Sequence, residues 1–157
     1  MNEKRKISIR KIDENNNQDV LNLKIKPEQQ DYIESVADCL KEAQELSLWR
    51  PVGLYDQNQL IGFAMYGLWH EKNQKRVWLD RFLIDKQYQG KGYGKQFLDV
   101  LLTHIFDEYG CHEIYLSLYD DNDHALKLYQ QFGFVMNGEK DIHGETVMVK
   151  KRISLKD

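Results

Sequence analysis

Phe82-Leu83-Ile84-Asp85-Lys86-Gln87-Tyr88-Gln89-Gly90-Lys91-Gly92-Tyr93-Gly94-Lys95 carries the reading of the whole chain. It runs from an apolar strand end through a polar bend into three glycines at alternate positions, then into a long amphipathic helix. Glycines at a strand-to-helix turn let backbone N–H groups approach a ligand without Cβ interference, and the helix start adds a positive dipole end. The combination predicts an anion site of the kind most often given to phosphate. Two phosphate loops are excluded by residue type. A Walker A loop would need glycine five residues before Gly94 and Ser or Thr after Lys95, where the chain has Gln89 and Gln96. A dinucleotide G-x-G-x-x-G begun at Gly90 would need glycine at position 95, which is lysine.

Upstream of the loop, Arg76 to Ile84 reads as the last strand of a meander whose earlier strands are Pro51–Tyr55 and Leu60–Gly67. Polar turns at Asp56–Gln59 and Trp69–Gln74 separate them. Period-two alternation places Trp78, Asp80, Phe82 and Ile84 on one face and Val77, Leu79, Arg81 and Leu83 on the other. A carboxylate flanked by Trp78 and Phe82 is partly desolvated, so its pKa is expected to rise, which suits a general base. A structural pairing of Asp80 with a cation on a neighbouring strand fits the spacing equally well. Trp69 and His70 fall near a strand end, where a pocket wall is conceivable; an exposed turn histidine is the ordinary alternative.

Downstream, Tyr93, Phe97, Leu98, Leu101, Leu102, Ile105 and Tyr109 recur at helical spacing and Gly110 closes the helix. Glu113–Tyr119 alternates as a strand. Asp120-Asp121-Asn122-Asp123 supplies caps for a helix through Ala125, Leu128, Tyr129 and Phe132, stopped by Gly133. Phe134–Ile142 and Thr146–Lys151 form a final hairpin around His143-Gly144. Tyr129 lies on the apolar side of its helix, as a core tyrosine would. Its phenol is also a plausible proton donor to a thiolate leaving group.

Before the meander, Ile7–Ile12 alternates as a first strand, a short helix is expected around Val20, Leu21 and Leu23, and Pro27 opens a helix running to about Leu46. On that helix Asp31, Glu34, Asp38, Glu42 and Glu45 fall within an arc of roughly 80° at 100° per residue. Such a stripe is either a solvated face opposite the core or a wall for a polycation, with Glu34 and Asp38 the members to test.

The 157 residues suit one domain, 1–157 with its core at about 5–153 and loose ends at 1–4 and 154–157. Charged residues make up 30% and the net charge is -3, so no basic surplus argues for nucleic acid. Met1–Lys6 lacks the apolar core of a signal peptide, and no apolar run reaches the ~18–20 residues that span a bilayer. Cys39 and Cys111 have no metal-like spacing and read as free thiols in a reducing cytoplasm; the five histidines are scattered, so no metal is expected. The element order predicts an α/β fold on a central mixed, mostly antiparallel sheet with about four helices.

Gln89-x-x-Gly92-x-Gly94 resembles the Q/R-x-x-G-x-G/A signature of the GCN5-related N-acetyltransferases, whose loop holds the pyrophosphate of acetyl-CoA. A second stretch, Asn122 to Phe134, is similar to the family's N-x-x-A-x-x-x-Y-x-x-x-G-F signature. The resemblance covers about Val52 to Lys151. It implies the GNAT fold, with splayed middle strands that admit the pantetheine arm. Acetyl-CoA would then be the cosubstrate, held by the backbone of Phe82, Leu83 and Ile84, by Gln89, Gly90, Lys91, Gly92, Tyr93, Gly94 and Lys95, and by Asn122. Tyr129 would be the general acid. Asp80 stands where polyamine acetyltransferases of the family carry a glutamate, and its shorter reach favours a water relay.

Tyr32–Ser35, Pro51–Tyr55, Gly62–Gly67 and Val77–Phe82 further resemble the bacterial diamine and polyamine acetyltransferases. That likeness implies acetyl transfer to spermine, spermidine or a related diamine, with Glu34, Asp38 and Asp80 facing the polycationic substrate, and a homodimer in the cytoplasm. Another small amine such as an aminoglycoside or amino acid, or a protein amine, is the alternative acceptor. A non-catalytic acetyl-CoA sensor is the alternative of another class.

Overall fold

The computed structural model describes residues 4–25, 35–71 and 73–152. The expected loose ends at 1–4 and 154–157 therefore lie, apart from exposed Lys4, outside the described residues. Seven strands form one sheet in the order β1-β2-β3-β4-β5-β7-β6: β1 Ile7–Lys11, β2 Trp49–Asp56, β3 Gln59–Glu71, β4 Gln74–Ile84, β5 Glu113–Leu118, β6 Val135–Lys140 and β7 Thr146–Lys151. Every neighbouring pair is antiparallel except the central β4 and β5. The described helices are α1 Asn17–Leu21, α2 Val36–Glu45, α3 Tyr93–Tyr109 and α4 Asp123–Gln131.

The helix after the glycine loop forms as its spacing predicts. Phe97, Leu98, Leu101, Leu102, Ile105 and Phe106 are buried along one side of α3, packed with Leu54, Leu79, Ile84, Ile114 and Phe134. Burial of each such side chain contributes roughly 1.5–3 kcal/mol as an upper bound, so this contact is the main anchor of the loop that precedes it. Gly110, at φ 58, ends the helix with its N–H on the Phe106 carbonyl. A second apolar cluster, with Val20, Val36, Cys39, Trp49, Phe63, Met65 and Leu83, includes residues of α1 and α2.

Three expectations are corrected. Ser35 is extended (φ -63, ψ 152) and its hydroxyl accepts the Asp38 N–H, so α2 starts at Val36 and no single helix runs from Pro27 to Leu46. Asp38 and Glu45 share α2, but Asp31 and Glu34 lie outside the described residues. The turn drawn at Trp69–Gln74 is shorter, because Trp69 and His70 pair with Arg76 and Lys75 inside the β3–β4 ladder. Trp69 stacks there on Trp49, with ring centroids 6.0 Å apart.

The third correction bears on chemistry. Met65 faces Arg81 and Tyr66 faces Leu79, which leaves Asp80 as the extra residue of a β-bulge. The bulge breaks the period of two. Val77 and Leu79 lie in the α3-side cluster with Ile84, and Phe82 packs beside them; Trp78 packs against the opposite cluster with Leu83. Trp78 and Phe82 therefore do not clamp Asp80 from one face.

Candidate active site

Two features open the centre of the sheet. β4 and β5 pair only at Val77–Ile114 and Trp78–Tyr115, and no pairing continues from Leu79 or from Leu116. The bulge at Asp80 falls immediately past the last pair, where an added residue bends its strand. From that point β4 stays with β3, pairing Phe82, Leu83 and Ile84 with Ala64, Phe63 and Gly62, while β5 stays with β7 as far as Leu118–Thr146. The β5-side edge of Phe82–Ile84 thus borders a splayed opening, as expected for a strand that lends its backbone to a ligand.

The glycine loop closes one end of that opening. Asp85, buried, organises its entry: Oδ1 accepts the Gln87 N–H and Oδ2 the Lys24 N–H, both at 3.0 Å, setting up a single 3₁₀ turn at Lys86–Tyr88. Gln89 then folds back, Nε2 donating to the Ile84 carbonyl at 2.9 Å. Gly90 and Gly92 have φ of 78 and 84, a region that side chains with Cβ resist. Gly92 is the helix cap and has no side chain to take the first amides of α3. Gly94 differs. Its φ is not positive, and a Cβ there would meet nothing within 4 Å. Neither strain nor packing within the chain requires glycine at 94; an outside group approaching the backbone would. Lys91 and Lys95 are exposed beside the loop. Tyr93, at the first turn, donates its phenol to Asp56 Oδ2 at 2.6 Å, which holds the Asp56 carboxyl below its usual range.

Arg81 touches Asp80 and acts electrostatically on Tyr129. The guanidinium donates to the Asp80 carbonyl at 2.5 Å and lies 3.5 Å from Asp80 Oδ2. Its own chain neighbour is thus one cation beside Asp80. Burial pushes the Tyr129 phenol up to about 12 against the opposing charge of Arg81. Arg81 also acts on Glu145 in the β6–β7 turn, whose carboxyl burial and Asp141 push upward. Tyr129 is half-buried on α4 with its ring edge-on to Phe134, centroids 5.7 Å apart. Asn122 caps α4, Oδ1 accepting the Ala125 N–H at 3.4 Å. Asp38 is exposed on α2, which packs against β2 and α1. Glu34 is outside the described residues. His70 is exposed in β3.

The sequence reading missed Asp85 as the loop's organiser and Arg81 as the link between the two candidate catalytic groups. An Asp two residues before the Gln87 N–H at a strand end was the available signal for the first. Nothing local signals the second. Among the described residues, no group of three or more His, Cys, Asp and Glu side chains converges to hold a metal ion, and no helix is long and apolar enough to cross a membrane.

Comparison with known proteins bears on this geometry. The "Probable spermine N(1)-acetyltransferase" of Bacillus subtilis subsp. natto (strain BEST195) is 49% identical over 149 residues, covering 92% of this chain and 98% of the relative. The "Spermine/spermidine N(1)-acetyltransferase" of Bacillus subtilis (strain 168) is 48% identical over the same coverage. Among solved structures, the spermidine N-acetyltransferase of Vibrio cholerae in complex with CoA and spermine superposes with a TM-score of 0.68 at 20% identity, covering 91% of this chain and 92% of that one. A domain from Methanocaldococcus jannaschii DSM 2661 superposes at 0.73 with 16% identity, over 95% of this chain and all of that one. These two show the shared fold. Residues 12–134 match the sequence model of the Acetyltransferase (GNAT) family, and the chain belongs to that family.

Proposed function

We propose that the protein transfers an acetyl group from acetyl-CoA to a primary amine of spermine, spermidine or a related polyamine. The observation that carries this reading is the opening between β4 and β5, which begins at the Asp80 bulge on a strand that leads into the bare-amide glycine loop. Loop amides from Gly90 to Lys95 would hold the pyrophosphate of acetyl-CoA, and the backbone of Phe82–Ile84 and the Asn122 cap would line the pantetheine arm. The polyamine class rests on the 49% identity to a protein named for spermine acetylation.

In the reaction the acceptor ammonium first loses a proton to Asp80, through a water given the short side chain. The free nitrogen attacks the thioester carbon; the C–N bond forms, and backbone N–H groups on the free edge of β4 stabilise the oxyanion. The C–S bond then breaks and the thiolate takes its proton from Tyr129. A phenol at about 12 is fully protonated at neutral pH, as an acid must be. Its proton transfer to a thiolate of pKa about 8–9 is uphill by roughly 4–5 kcal/mol. That cost is net of Arg81, whose charge favours the phenolate and keeps the phenol from rising further.

For the rest of the assignment, Asp80 and Glu145 provide carboxylates near the acceptor side, and Glu34 and Asp38 extend an acidic approach for a polycation. Cys39 and Cys111, neither in a disulfide, suit a reducing, cytoplasmic setting. The exposed apolar Val135 and Met136 on outer strand β6 suit a homodimer contact. Mass spectrometry of the product, paired with thiol release, tests the function: one acetyl group on the polyamine per CoA thiol supports it, and thiol release without acetylated amine opposes it.

A further inference from the structure

Arg5 precedes β1 and is far in sequence from the glycine loop, yet its side chain lies on it. Nη1 donates to Gln96 Oε1 at 2.6 Å, Nη2 donates to the Lys91 carbonyl at 2.8 Å, and the guanidinium carbon sits 3.8 Å from the centre of the Tyr93 ring. A Cβ built on Gly92, the cap of α3, would lie 3.9 Å from Nη1. The backbone that carries Arg5 is fixed as well. The Lys6 N–H donates to Asp56 Oδ1 at 2.9 Å, the Lys6 carbonyl accepts from Gln57 N, and Asp56 holds the Tyr93 phenol.

Those contacts use two of the five N–H donors of a guanidinium. The charge stands against the glycine cap where α3 presents its first amides, in a planar fork that suits phosphate oxygens. Lys91 and Lys95 are exposed on flexible stems, whereas Arg5 is held by two hydrogen bonds and a ring.

We infer that Arg5 is a further cofactor-binding residue, a pre-set cation that contacts a phosphate of the acetyl-CoA tail. The inference rests on the reading of Gly90–Lys95 as the cofactor's phosphate loop. The shared chemistry is a phosphate oxygen, of either the pyrophosphate or the 3′-phosphate.

The test compares wild type, Arg5→Gln and Arg5→Lys on three acetyl donors: acetyl-CoA, 3′-dephospho-acetyl-CoA and S-acetylpantetheine, which has no phosphodiester tail. Arg5→Gln raises KM for acetyl-CoA about 10-fold with kcat unchanged, and Arg5→Lys recovers part of the loss. On S-acetylpantetheine, Arg5→Gln and wild type have the same KM. A penalty that persists with the dephospho donor assigns the contact to the pyrophosphate; one that vanishes assigns it to the 3′-phosphate. An unchanged acetyl-CoA KM in Arg5→Gln overturns the inference, as does an equal loss on S-acetylpantetheine, which marks a purely structural strap. The loop reading fails separately: wild type using S-acetylpantetheine as well as acetyl-CoA removes that reading, and the role of Arg5 with it.

Discussion

Arg81 lies 3.5 Å from Asp80 Oδ2 while its charge acts on the Tyr129 phenol, so one guanidinium joins the two groups to which acid and base roles fall. The bulge at Asp80 makes this possible. It sets Asp80 and Arg81 where β4 leaves β5.

Tyr129→Phe removes the proposed proton donor and little else, since the ring keeps its contact with Phe134. The expected loss in kcat is about 10²–10⁴-fold, with acetyl-CoA affinity unchanged by calorimetry. A kcat within a few-fold of wild type removes Tyr129 from the mechanism.

Asp80→Asn removes the proposed proton acceptor. The loss in kcat/KM should be largest near neutral pH, where the amine is protonated, and should shrink as alkaline pH supplies free amine. The pH profile of the ratio to wild type checks this; a ratio constant with pH assigns the base elsewhere.

Arg81→Gln takes away the charge that opposes burial at the Tyr129 phenol, which stands at about 12 with that charge in place. The phenol's pKa should then rise, and kcat should fall with the acetyl-CoA KM little changed. Tyrosinate absorbance between Arg81→Gln and its Tyr129→Phe double variant follows the phenol directly. A titration that stays in place contradicts the coupling.

Gly92→Ala and Gly94→Ala should part company in stability. At 92 a side chain must adopt φ 84, costing roughly 1–2 kcal/mol. At 94 the backbone is helical and the space open, so alanine should stabilise by up to about 1 kcal/mol. Both should weaken acetyl-CoA binding. Thermal unfolding and calorimetry on the two proteins measure the two quantities; a Gly94→Ala protein that binds acetyl-CoA as tightly as wild type frees that position from the cofactor.

Asp56 links the Tyr93 end of the loop to stability. Its carboxyl is held low by the Tyr93 phenol and the Lys6 N–H. A depressed carboxylate stabilises above its unfolded pKa, and the contribution is lost as pH falls through the folded value. The group is largely exposed, so Asp56→Asn should cost at most about 1 kcal/mol at pH 7 and almost nothing near pH 2. Urea unfolding at the two pH values checks the sign.

The parts legible in the sequence were those written in local chemistry. Glycines at 90, 92 and 94 before an apolar 3.6-residue stripe marked the loop and α3, and Asn122 marked the start of α4. What escaped depends on partners distant in the chain. Alternation assigns faces only while a ladder keeps register, and the bulge at Asp80 is set by how Met65 and Tyr66 pair with β4. The acidic stripe looked continuous through Ser35, a residue whose hydroxyl instead caps a new helix. Arg5 and Glu145 carry no local signature of a site at all; folding alone brings them to the loop and to Arg81.

The central claim is polyamine acetylation, and a single acceptor panel tests it most directly. Thiol release from acetyl-CoA is followed with spermine, spermidine, putrescine, an aminoglycoside and a peptide amine. The account predicts that kcat/KM for spermine or spermidine exceeds that for the aminoglycoside and the peptide by about 100-fold or more, a difference of roughly 3 kcal/mol in transition-state binding. A higher value for the aminoglycoside or the peptide contradicts it, and acetyl-CoA binding without transfer to any of the amines would mark a sensor.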